Sequence, residues 1–155
     1  MRSVRAYAMA AVAVWTAAVV VGAQAKISTP AEFDKVMKGV GAANGQLQKA
    51  LQSGAFADAK TALATVRQNF ALAETFWVAN KKDEAVKLTQ DAAAKAAALD
   101  KALGASAPDA AAVTAAFKEL GATCRNCHMG TGGPGTGWRV RDAEGNYSIN
   151  PEKMK

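Results

Sequence analysis

"FADAKTALATVRQNFALAETFW", Phe56–Trp77, places apolar residues at Phe56, Ala59, Leu63, Val66, Phe70, Ala73 and Trp77. The steps alternate between three and four residues. That spacing belongs to a helix laid lengthwise against other helices, not to a strand, which alternates every second residue. Whatever packs on this seam must carry a matching one.

Matching seams lie on both sides. Upstream, "STPAEF" offers Ser28 or Thr29 as a cap and Pro30 in a first turn. Phe33, Val36, Met37, Val40, Leu47 and Leu51 then form a stripe that ends at Ser53 and Gly54. Downstream, "ANKKDEA" reads as a turn, with Asn80 closing one helix and Asp83 capping the next. The third helix carries Ala85, Leu88, Ala92, Leu99 and Leu103, and Gly104 and Pro108 break it. The fourth carries Val113, Phe117 and Leu120, and its stripe runs on into Cys124 and Cys127. Four amphipathic helices with short links predict an all-α, antiparallel, up-down-up-down four-helix bundle.

The ends differ in character. The first residues show Arg2 and Arg5, an apolar run from Ala6 to Val21, and small residues at Ala23 and Ala25. This is the three-part pattern of a secretory leader, residues 1–25. The alternative is a retained anchor, for which the run is short of the roughly 20 residues that span a bilayer. The bundle domain then occupies 26–129, with no stable membrane insertion once the leader is removed. Residues 130–155 form a C-terminal tail. It opens with five glycines between Gly130 and Gly137, and continues with Trp138, Val140, Tyr147 and Ile149 around "DAEGN". That pattern suits a small hairpin or an extended tail.

Without Arg2 and Arg5, 17 of the 19 basic side chains remain against 13 acidic ones. The excess is mild and interleaved with acids, with no dense basic block, so no nucleic-acid partner is expected. A basic surface still suits an anionic protein partner.

"GATCRNCHMG", Gly121–Gly130, holds both cysteines and the only histidine. Four chemistries compete for Cys124, Cys127 and His128. A disulfide leaves His128 without a role. A thioredoxin-type pair wants a strand leading into its helix. A zinc site wants four ligands, and the motif offers three. Covalent haem attachment uses all three residues. One helical turn separates the thiols, and the next residue shares their face, so that its imidazole lies where iron would sit. The spacing is that of c-type haem attachment, and export agrees with a haem added outside the cytoplasm. A second axial ligand would have to come from elsewhere. Met37, on the inward stripe of the first helix, is the candidate, with core filling as its alternative. With Met37 bound the site carries electrons; with Met37 displaced it binds a small gas such as NO or CO. No second catalytic constellation is evident, so enzymatic turnover is not expected.

With these residues in view, the chain resembles class II c-type cytochromes, the cytochrome c′ and c-556 group. The matching segments are "VMKGVGAANGQLQKAL", Val36–Leu51, and "FKELGATCRNCH", Phe117–His128, with the Phe76–Trp77 pair as a further likeness. The resemblance implies one haem c per chain, a bacterial periplasmic setting, and a methionine at position 37 as sixth ligand. It also implies pairing of two chains through the first two helices. A first-helix arginine that meets a haem propionate in the family is missing here. Arg125, Arg139 and Arg141 are candidate replacements, with Lys118 behind them. Phe70, Trp77 and Phe117 are candidate ring-packing residues. The 27 residues after His128 are a departure from the family, whose members mostly end sooner.

Overall fold

The computed structural model describes residues 25–130 and 132–155. The leader expected over residues 1–25 therefore lies, but for Ala25, outside the described residues. Four long helices follow one another: α1 (Pro30–Gln52), α2 (Phe56–Ala79), α3 (Asp83–Leu103) and α4 (Ala110–Met129). They pack as an up-down bundle. Two short antiparallel strands, β1 (Arg139–Arg141) and β2 (Tyr147–Ile149), and a final turn of helix, α5 (Pro151–Met154), complete the chain. No helix among the described residues is long and apolar enough to cross a membrane.

Local chemistry explains the boundaries. Thr29 and Glu32 form a reciprocal capping box at the start of α1, with Pro30 in its first turn. This satisfies donors that a helix start otherwise leaves unpaired. Gly54, at φ +70°, reverses the chain toward α2. Asp109 caps α4 by accepting from Ala111 N–H and Ala112 N–H. At α3 the expected cap is corrected. Lys82 holds the cap position without a side-chain bond, and Asp83 and Glu84 lie within the first turn. There both carboxylates still face the positive end of the helix dipole. The Lys82 ammonium instead donates to the carbonyls of Met154 and Lys155, tying the C-terminus down.

The α2 seam is buried from Ala59 through Leu63, Val66, Phe70 and Ala73 to Trp77. Leu47, Leu63, Leu99, Leu103 and Val113 fill the core at one end. At the other end Phe33 stacks on Phe76 and Trp77 meets both edge-on, with centroids 4.6 to 4.9 Å apart. Close backbone packing joins α1 to α2, α2 to α3 and α3 to α4, whereas α1 and α4 approach one another less closely. The hairpin straddles this seam, β1 against α4 and β2 against α1. Of the two forms open to the tail, the hairpin is the one adopted, and it is docked: Trp138 is buried and meets Trp77 at 5.3 Å.

Candidate functional site

A cavity of about 440 Å³ opens between α1 and α4 at the aromatic end. That volume is in the range of small-molecule and cofactor sites, roughly 300 to 1,000 Å³. It exists because the seam continues there with small side chains. Gly41, Ala73, Thr89, Ala92 and Thr123 all face it, and none reaches across the bundle axis as a leucine would. Leu88 and Phe70 supply bulk at its walls.

The cavity gathers most of the sequence-predicted site. Met37 lines it from α1, and Cys124, Cys127 and His128 line it from the last turns of α4. Residues 91 positions apart in the chain thus face one space. Neither thiol is in a disulfide. Among the described residues, no three His, Cys, Asp or Glu side chains converge as a protein-only metal cage would require. Burial raises the Cys124 thiol pKa and pushes Cys127 up to about 11. Burial also lowers His128, with the Arg139 charge acting in the same direction. Its imidazole is therefore neutral at physiological pH, the form able to ligate a metal. The Tyr147 ring meets it edge-on at 4.5 Å.

The hairpin is fixed to this same turn. Trp138 N–H donates to the Cys127 carbonyl at 2.8 Å. Gly137 lies so close that an added Cβ would stand 2.5 Å from the Cys127 carbonyl oxygen and the His128 carbonyl group. Only glycine permits that approach. Beyond it, Arg139 lines the cavity and is 3% exposed. One of its terminal nitrogens, Nη2, donates to Asp34 at 3.1 Å and to the Tyr147 carbonyl at 2.7 Å. Its Nε and Nη1 are buried without a partner.

Other predicted residues lie elsewhere. Arg125 is exposed and does not line the cavity. Arg141 is exposed too, donating to the Gly145 carbonyl beside the Tyr147 ring. Phe117 packs against the leucine-rich core instead of the cavity. Phe70 and Trp77 do line it. Sequence reading passed over Asp34, which holds Arg139 and Lys38 at once. Its i, i+4 spacing from Lys38 was legible; its tie to Arg139, 105 residues on, was not.

No family model, curated protein or solved structure matches the chain.

Proposed function

We propose that this chain is an exported monohaem c-type cytochrome that carries electrons. One observation carries the reading: two thiols, the only imidazole and one thioether line a single, largely apolar cavity of about 440 Å³. The donor set fits the group. Cys124 and Cys127 would hold it through thioether bonds, and His128 and Met37 would be the side chains that ligate its iron. Haem iron with His and Met ligands supplies one-electron chemistry at a raised potential.

The chain's own residues do the rest. Burial keeps His128 neutral, and Tyr147 limits the rotation of its ring. Phe33, Phe70 and Trp77 give the cavity apolar walls against which a flat ring would pack. Export, a periplasmic setting and a protein redox partner follow from this reading.

A second reading draws on one feature: α1, which carries Met37, approaches α4 less closely than it does α2. Met37 comes from a different helix than the two cysteines and His128, so it would be the ligand more easily displaced, and displacement would leave an open position for NO or CO. The absorption spectrum of the purified ferric protein separates the two. A low-spin spectrum with a methionine–iron charge-transfer band is expected, lost on Met37→Ala. A high-spin native spectrum that Met37→Ala leaves unchanged would refute ligation by Met37 and favour gas binding. A mature mass without a haem increment would remove both.

A further inference from the structure

Arginine is seldom so fully buried without a full set of acceptors, because its charge cannot be shed. Arg139 has five N–H donors. The two on Nη2 are engaged, and the three on Nε and Nη1 are not. The guanidinium also lies over the Phe33 ring at 5.5 Å, a contact that uses its face and leaves its edge free. The other charges on the cavity wall are Asp34 and Lys38, joined to each other at 2.9 Å. Lys38 is exposed and screened by solvent, so the buried ion pair is that of Arg139 with Asp34. What burial leaves unmet is the rest of the guanidinium, whose Nε and Nη1 donors have no acceptor. The edge formed by Nε and Nη1 has the fork geometry that matches a carboxylate bidentately.

We propose that Arg139 is a carboxylate-binding site whose ligand is a propionate of the haem, so that loading the cavity locks the C-terminal hairpin onto the bundle. The inference rests on the haem reading above. Its coupling follows from covalent connection. Arg139 opens β1, next to Trp138, whose N–H holds the Cys127 carbonyl. An anion on Arg139 therefore holds the hairpin, and an undocked hairpin withdraws the cation. In the haem-free chain Asp34 alone among carboxylates meets Arg139, and docking bears the cost of the orphaned donors.

The test compares tail docking with and without haem, by limited proteolysis within residues 130–155. The haem-free form is the full chain with Cys124→Ser and Cys127→Ser. In the haem-bearing protein, Arg139→Gln is expected to speed tail cleavage about tenfold or more, as loss of a charge-assisted pair would. In the haem-free chain the same substitution is expected to leave cleavage unchanged or slow it. Equal acceleration in both forms would overturn the proposal, because it would mean that Arg139 serves only the ion pair with Asp34. If the haem-free chain does not fold, the reduction potential decides. Arg139→Gln should lower it and Arg139→Lys restore most of the difference, whereas a potential unchanged by Arg139→Gln overturns the inference. A purified chain without a haem increment in its mass refutes the haem reading itself; equal acceleration, or an unchanged potential, in a haem-bearing chain refutes only the role of Arg139.

Discussion

At one end of the bundle the seam positions hold Leu47, Leu63, Leu99 and Leu103, and the helices close on one another. At the other end the same four helices present Gly41, Ala73, Thr89, Ala92 and Thr123, and a cavity remains. The spacing of apolar residues is alike at both ends. Side-chain volume differs, so periodicity decides which face turns inward while volume decides whether that face meets anything. The hollow end also carries the chemistry-bearing residues and the docked hairpin; the filled end carries neither.

The contrast can be broken most directly by truncation. Leu63→Ala at the filled end should cost about 2 to 5 kcal/mol, the range for buried leucines. Met37→Ala in the haem-free chain should cost only about 1 kcal/mol, because its side chain already borders empty space and is partly exposed. Urea unfolding of both variants measures the difference, and equal costs would mean that the hollow end is packed after all.

The next effect is alkaline. Cys127 ionises near 9.0 in the unfolded chain but near 11 when buried. Between those values the unfolded state binds fewer protons, so stability falls as pH rises. Two units correspond to roughly 2 to 3 kcal/mol. A haem-free chain that keeps both cysteines, reduced, should therefore lose about that much between pH 8 and 11, and Cys127→Ala should flatten the profile. A profile that stays steep in Cys127→Ala would assign the alkaline loss to other groups.

A smaller loss is expected from Gly137→Ala. The atoms it would strike belong to the backbone of α4, which cannot swing aside as a side chain could, so the hairpin must lift. A cost of about 1 to 3 kcal/mol is typical of such overpacking. Thermal unfolding gives the cost, and faster proteolysis within residues 130–155 shows where it falls. Should Gly137→Ala leave both unchanged, the hairpin would not rest on α4 as described.

Much of the bundle was legible because it is local and periodic. The α2 stripe from Ala59 to Trp77 is buried as its spacing predicts, and the capping residues of α1 stand where a helix start needs them. Met37 and the Cys124–His128 motif face one cavity because their seams run on the same sides of α1 and α4. What escaped was set by size and by distance along the chain. Phe117 has the right period but sits too early in α4, before Thr123, to line the cavity. Three arginines were equivalent as sequence. Only the hairpin's fold buries Arg139 and leaves Arg125 and Arg141 in solvent. Asp34 meets Arg139 across 105 residues, a pairing that no local pattern encodes.

Trp77 and Trp138 have a use of their own. Among the described residues they are the only two tryptophans, and both are buried where the hairpin meets the bundle. One belongs to α2 and the other to the tail. In a haem-free chain without residues 1–25, which carry Trp15, intrinsic fluorescence is therefore a native optical gauge of this one junction. A red-shifted emission at unchanged helical circular dichroism would record the tail lifting away while the four helices stay in place.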